Sequence, residues 1–313
     1  MSATRPRGPA APDLLPSAAG LPDPSRLAVG VVGAGRVGAV LGAALERAGH
    51  RVVATSAGSS ASRARAAALL PGSRVVPAHL VPARADLVLL TVPDDALPEL
   101  VAGLAATGAL RRGQLVAHTS GRHGLAVLEP ASRAGALPMA LHPVLPFGGT
   151  EDDLARLVGA SFGVTTPDPL RPVAEALVTE LGGEVEWVAE ERRALWHAAL
   201  AHAANHLTAL VASSADLLRE AGAERPDRVL APLLDAALDG ALHRGDAALT
   251  GPVARGDAGT VRAHLEVLAA VAPEVLPSYV AMARLTADRA LASGRLDATR
   301  AGALLDVLGT APR

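Results

Sequence analysis

Between residues 27 and 188, short apolar runs rich in valine and leucine alternate with stretches of helical composition. The runs at 27–32, 51–55, 75–76, 85–92, 114–119 and 137–142 read as strands. The run 85–92 is almost continuously apolar, as in a strand buried on both faces. Helices are predicted at 37–48, 62–70 and 170–181. Another begins at Pro93-Asp94-Asp95, where a proline and two acids suit a first turn and one of the acids is expected to cap the helix. Strand-like pieces at 161–165 and 184–188 flank the 170–181 helix and extend the same sheet. From residue 190 the pattern becomes helical throughout, with segments at 190–219, 226–243, 259–270, 273–293 and 297–308. The chain is therefore expected to be α/β over 27–189, a doubly wound parallel sheet, followed by an all-α C-terminal domain over 190–313. Residues 1–26 carry six prolines and no apolar core of signal-peptide type, and are expected to be a disordered extension.

The first strand runs into Gly33-Ala34-Gly35-Arg36-Val37-Gly38, and a helix follows. This is the glycine pattern of a Rossmann dinucleotide site. Gly33 permits the tight turn, Gly35 lets backbone approach a pyrophosphate, and Gly38 lets the helix pack closely on the strand. The helix N-terminus then offers free N–H groups to the phosphates. Val92 and Pro93, at the end of the 85–92 strand, are expected to pass under the same cofactor.

An acid usually closes the second strand of an NAD site, where it binds the ribose 2′-hydroxyl. No Asp or Glu occurs between Glu46 and Asp86. The segment instead offers Thr55, Ser56, Ser59 and, in the following helix, Arg63. Hydroxyls and an arginine suit a 2′-phosphate, so NADP(H) is the expected cofactor.

Composition narrows the chemistry. There is no cysteine and no lysine, so disulfides, thiol nucleophiles and Schiff-base catalysis are excluded, and Asn205 is the only asparagine. A net charge of −2 argues against nucleic acid as the partner. The uncharged stretch 194–215 contains three histidines and Asn205, which are costly in lipid, so it reads as a buried central helix rather than a membrane span. A cytoplasmic protein with no membrane partner is expected, and the apolar helical half suggests a homodimer.

Ligands of an open parallel sheet sit beyond the carboxyl ends of its strands. Three such ends are polar here, the first being Thr91-Val92-Pro93-Asp94-Asp95, whose acids read as structural. His118-Thr119-Ser120-Gly121-Arg122-His123-Gly124 offers Ser120 as a hydrogen-bond partner for a substrate oxygen, with His118 and His123 as candidates for structural rings. Leu141-His142-Pro143 places a histidine, the side chain best suited to proton transfer near neutrality, at the next strand end. On the uncharged helix, His197 and Asn205 lie about 80° and roughly 12 Å apart along the axis, so both can line one cleft. His202 and His206 have the spacing of a metal pair, but no third ligand is evident and no metal site is expected.

Together these motifs resemble the Rossmann-like oxidoreductases that carry a C-terminal helical domain of unknown function 2520, in the 6-phosphogluconate dehydrogenase-like superfamily. The resemblance rests on 33–38, Thr-Val-Pro-Asp-Asp (91–95), 118–124, 141–143, 197–207 and Ala-Leu-Thr-Gly-Pro-Val-Ala-Arg-Gly-Asp (248–257). It implies NADP-type oxidoreduction, with ketopantoate as a candidate substrate by gene association. In the related ketopantoate reductases a helix carries a catalytic lysine with asparagines four and eight positions on. Here His197 stands at the lysine position, Ala201 at the first asparagine and Asn205 at the second. In prephenate dehydrogenases a His-Pro after a strand and a serine from the preceding strand handle the substrate oxygen, and His142-Pro143 with Ser120 match that arrangement.

The expected function is an NADP(H)-dependent oxidoreductase acting on a small carbonyl or hydroxy compound, with a 2-oxo acid of ketopantoate type as the candidate. Ser120 and His142 would bind the reacting oxygen, with His142 supplying the proton and His197 as the competing acid. Asn205 would close the cleft, and Thr250 and Arg255 would hold a substrate carboxylate. The alternatives are an imine reductase on the same scaffold and a non-catalytic NADP(H)-binding regulator.

Overall fold

The computed structural model describes residues 26–310, so the extension expected at 1–26 lies, apart from Arg26, outside the described residues. The chain divides into two compact units, one ending at His202 and the other beginning at Ala203.

The first unit is built on one eight-stranded sheet. In chain order its elements are β1 (Ala28–Val32), α1 (Arg36–Arg47), β2 (Arg51–Ser56), α2 (Ser60–Leu69), β3 (Arg74–Val75), β4 (Leu87–Leu90), α3 (Leu97–Ala106) and β5 (Leu115–His118). There follow α4 (Glu129–Arg133), β6 (Leu137–Pro143), α5 (Asp152–Arg156), β7 (Ser161–Thr165), α6 (Arg171–Glu180) and β8 (Glu184–Trp187). The spatial order is β3-β2-β1-β4-β5-β6-β7-β8. The chain leaves β1 in one direction to build β2 and β3, then returns to its other side with β4, which opens a ligand crevice at the carboxyl ends of β1 and β4.

Apolar runs without alternation are explained by burial on both faces. Val29 and Val31 of β1, Leu87 and Leu89 of β4, and Leu115 and Ala117 of β5 enter one core layer. Their neighbours Val32, Val88, Leu90 and Val116 enter the other. The expected parallel sheet holds for every pair except β6 and β7, which run antiparallel with His142 opposite Gly163. The connection between these strands holds only the five-residue α5 and reverses the chain instead of carrying it back along the sheet.

α7 (Arg193–Glu220) begins in the first unit and ends in the second. The second unit continues with α8 (Pro226–Arg244), α9 (Gly251–Arg255), α10 (Ala258–Val271), α11 (Leu276–Ala292) and α12 (Ala298–Gly309), packed around Val261, Leu265, Leu276, Ala287 and Leu304. The uncharged stretch of α7 is helical as expected, but it is not buried. Residues 202–210 are all exposed, because alanine dominates it and its leucines, Leu207 and Leu210 among them, face outward. No helix among the described residues is long and apolar enough to cross a membrane.

Candidate functional site

The glycine loop joins β1 to α1. Gly33 has φ +99°, a conformation open to glycine and strained for other residues, and Val92 and the Thr91 carbonyl close over it. A Cβ on Gly38 would collide with the Thr91 hydroxyl and the Gly33 carbonyl, so α1 can approach β4 this closely only without a side chain there. Thr91 locks the turn by donating to the Gly33 carbonyl at 2.6 Å. Gly35 is different. Its φ is −73°, and a Cβ there would meet nothing nearer than the Gly33 carbonyl at 3.9 Å. Neither strain nor crowding within the chain demands glycine at 35, and the space beside it is open. The helix above it starts with no side-chain cap and no acid in its first turn, which leaves its first N–H groups directed at that space. Arg36 is exposed at the rim and Val37 half-buried behind it.

At the end of β2 the Ser56 hydroxyl accepts the Gly33 N–H at 3.0 Å and the Ser56 carbonyl accepts Ala34 N–H at 2.7 Å. These bonds tie the second strand to the glycine turn. Thr55 is buried, with its hydroxyl 3.3 Å from that of Ser73. Ser59 caps α2 by accepting Ser62 N–H, and Arg63 is exposed one turn on, donating to the Gly58 carbonyl. No acidic side chain stands between Glu46 and Asp86, so this rim carries no carboxylate of its own.

After β4, Val92 is half-buried against Gly33 and Pro93 is exposed. The two acids that follow were expected to cap a helix, and the structure uses them otherwise. The N-cap of α3 is Ala96, without a side-chain bond, because a turn at Pro93–Ala96 precedes the helix. Asp95 instead accepts Arg122 at 3.0 Å, and Asp94 lies 4.0 Å from the same guanidinium. They hold the loop after β5 from the side.

That loop is braced from within by His118. Its Nδ1 accepts the Ser120 N–H at 3.2 Å and its Nε2–H donates to the Gly124 carbonyl at 2.9 Å. Burial, with Arg193 and His123 adding to it, pulls the His118 pKa down from 6.5 to about 4, so the ring is neutral. Glu190 closes the loop by accepting the Leu125 and Ala126 N–H groups. Ser120 is buried, and its hydroxyl accepts the His123 N–H at 3.1 Å.

Gly121 is where the polar groups meet. A Cβ on it would lie 2.6 Å from His197 Cδ2 and 2.8 Å from His142 Nε2. His142 and His197 contact edge to face, with ring centroids 6.0 Å apart. On the far side of His142, Trp196 donates its indole N–H to Nδ1 at 3.2 Å. Burial is the main reason the His142 pKa falls from 6.5 to about 4, with Arg193 and His197 lowering it further. The ring expected to act as an acid is therefore a neutral imidazole at neutral pH.

Arg193, the first residue of α7, is 1% exposed. It donates to the Gly163 carbonyl and Thr165 hydroxyl at 3.1 Å and to the Ser120 carbonyl at 2.7 Å, spanning from β7 to the loop after β5. None of these partners is a carboxylate, and Nε has none. Desolvation lowers its pKa to about 10, which leaves it charged at neutral pH.

Two family comparisons cover most of the chain. Residues 15–143 match the Rossmann-like domain, and residues 160–286 match the family described as a domain of unknown function, DUF2520. The chain carries a Rossmann-like domain followed by a DUF2520 domain. No curated protein matches it. Among solved structures, the chain is similar to a Bacteroides fragilis protein provisionally named an NADP oxidoreductase, at 22% identity over 85% of this chain and 100% of that one, with a TM-score of 0.72. It is also similar to an imine reductase from Pseudomonas sp., at 19% identity over 90% and 99% of the two chains, with a TM-score of 0.62. A third relative is a pyrroline carboxylate reductase from Plasmodium falciparum crystallised with NADP, at 10% identity over 86% and 97%, with a TM-score of 0.55. At these identities the likeness is one of fold.

The fold brings the Ser120–Gly121 loop, His142 and His197 into one neighbourhood. Asn205, Thr250 and Arg255 all belong to the second unit, where each is exposed. Thr250 is the N-cap of α9 and Arg255 its last residue. Sequence reasoning missed Arg193 and Trp196. The available signal was rarity, since Trp196 is one of two tryptophans and adjoins His197. Arg193 carries no such mark among 29 arginines.

Proposed function

We propose that the protein is an NADP(H)-dependent oxidoreductase that interconverts a small carbonyl compound and the corresponding alcohol. The observation that carries this reading is the meeting of the Ser120–Gly121 loop, His142 and His197 beyond β5 and β6, on the same sheet edge as a glycine loop that is open at Gly35. The names of the relatives support the NADP(H)-dependent reductase part of this reading, two of them referring to NADP, while the imine reductase and the pyrroline carboxylate reductase fit the imine alternative. Ser56, Ser59 and Arg63, with no carboxylate nearby, support NADP(H) over NAD(H).

When bound, the reduced nicotinamide supplies a hydride to the carbonyl carbon, and the oxygen takes up a proton. The chain's own part is to hold the cofactor on the α1 N-terminus, to meet the oxygen with Ser120 and His142, and to place His197 beside them. Arg193 supports a carbonyl over an imine. A buried guanidinium whose direct hydrogen bonds go to no carboxylate favours an oxygen that gains negative charge over a protonated imine, which adds a second cation, although Glu190 and Asp94 offset part of its charge. A 2-oxo acid of ketopantoate type is the first substrate to try. We also propose a cytoplasmic homodimer, because Leu207, Leu210, Leu233, Leu238 and Leu242 of α7 and α8 are exposed. Light scattering on the purified protein at monomer mass counts against the dimer.

The test is nicotinamide fluorescence with NADPH and NADH, before and after ketopantoate is added. Tight NADPH binding with loss of signal on ketopantoate supports the whole reading. Binding without consumption moves the search to other carbonyls and to cyclic imines, and binding with no turnover of any of them favours the regulator. No binding of either nucleotide overturns it. Gly35→Ala should fold normally and lose NADPH affinity at least about tenfold, the cost of about 1.4 kcal/mol in contact with the phosphates. Gly38→Ala should instead destabilise the fold.

A further inference from the structure

His118 and His142 stand at the ends of neighbouring parallel strands, and each accepts a hydrogen bond at Nδ1. For His118 the donor is the backbone of its own loop. For His142 it is the indole of Trp196, a group that only donates. A ring that accepts at Nδ1 carries its proton on Nε2 when neutral. It cannot become imidazolium without placing a second N–H against the indole N–H. The Nε2 edge of His142 is the edge that faces Gly121.

The indole has a prepared seat. His142 is opposite Gly163 in the β6–β7 register, and a Cβ on Gly163 would lie 2.8 Å from Trp196 Nε1 and Cε2. Glycine at this position of β7 leaves the space in which the indole reaches Nδ1. Arg193, one turn earlier on α7, fixes that turn to the Gly163 carbonyl at 3.1 Å.

We propose that Trp196 is a positioning residue that locks His142 in the Nε2–H tautomer, so that His142 acts as a neutral hydrogen-bond donor to the reacting oxygen and keeps its own proton. The second half of this statement rests on the oxidoreductase reading, and the tautomer does not. In the reduction, hydride adds to the carbonyl carbon, the C=O π pair becomes the oxyanion that His142 Nε2–H stabilises, and the proton that completes the alcohol is drawn from water.

The test is nitrogen-15 NMR of histidine-labelled full-length protein at neutral pH, with His142→Gln to identify the ring signals. The native protein should show His142 with Nε2 protonated and Nδ1 bare. Trp196→Phe, which keeps an aromatic ring and removes the donor, should shift both nitrogens toward the tautomer-averaged positions of free imidazole. Gly163→Ala, which moves the indole, should give the same shift. A native ring protonated at Nδ1 overturns the proposal even if no variant folds, and so does a Trp196→Phe spectrum that matches the native one. These outcomes are read without substrate, so an absence of turnover bears on the oxidoreductase reading alone.

Discussion

His118 and His142 end adjacent strands, carry the same tautomer by their hydrogen bonds, and are both held neutral by burial. What separates them is the second ring nitrogen. Nε2 of His118 is used to hold the Gly124 carbonyl, so that ring is a brace inside its loop. Nε2 of His142 faces Gly121 and the neighbouring His197. His118 is fully buried and His142 only partly so, yet the two rings differ in role chiefly because one has both nitrogens engaged by backbone and the other presents one to the site. A depressed pKa does not distinguish them, since desolvation gives both the same result.

The largest effect that sharpens this contrast is expected from His142→Gln. Turnover should fall by about 10²–10³-fold with NADPH affinity unchanged, in line with losing one oriented hydrogen-bond donor to the developing oxyanion. Steady-state kinetics beside a fluorescence titration measure both quantities, and unchanged turnover removes His142 from the mechanism. His118→Leu should act on stability instead. It leaves the Ser120 N–H and the Gly124 carbonyl without their buried partner, at a cost of about 2–4 kcal/mol that urea denaturation reads directly. A stability change for His142→Gln as large as that for His118→Leu would erase the distinction.

Charge removal at the centre is expected to have an intermediate effect. Arg193→Met removes the three bonds that join Ser120 to β7, and the pair of variants Arg193→Met and Arg193→Lys separates packing from charge. The lysine variant should recover less than half of the lost activity, because an ammonium cannot reproduce the fork that reaches Gly163, Thr165 and Ser120 together.

A further effect is shared by both rings, in pH, and is nil near neutrality. Both folded-state values lie near 4 against an unfolded 6.5, so in this window the unfolded chain binds more protons than the native one. Stability is then complete above 6.5 and declines as the pH falls toward 4, with a slope approaching two protons per molecule. His118→Leu and His142→Gln should each remove about one proton from that slope in denaturation curves taken across the range. A flat profile in the native protein breaks the claim that both rings are neutral.

Much of the fold was legible because its signals are local. Apolar runs without alternation, the glycine turn and the helical period after 190 each depend on a few neighbouring residues, and β1, β2, β4, β5 and β6 fall where they were expected. The reversal of β7 was not legible, since strand direction depends on how the 144–160 connection travels through space. Nor was the exposure of the uncharged part of α7, where composition predicts burial but the surroundings decide it.

The candidate site divides in the same way. By itself the sequence determined that a glycine loop precedes a helix, that no carboxylate follows β2, that lysine chemistry is absent, and that Ser120 and His142 end strands of one sheet. Residue type and spacing along the chain are sufficient for each of these. Tertiary structure alone decided that Asp94 and Asp95 hold Arg122 rather than a helix end, that Arg193 reaches from β7 to Ser120, and that Trp196 donates to His142 Nδ1. Those contacts join residues 27 to 73 positions apart. A protonation state or a tautomer is set by such partners in space, and no local pattern encodes them.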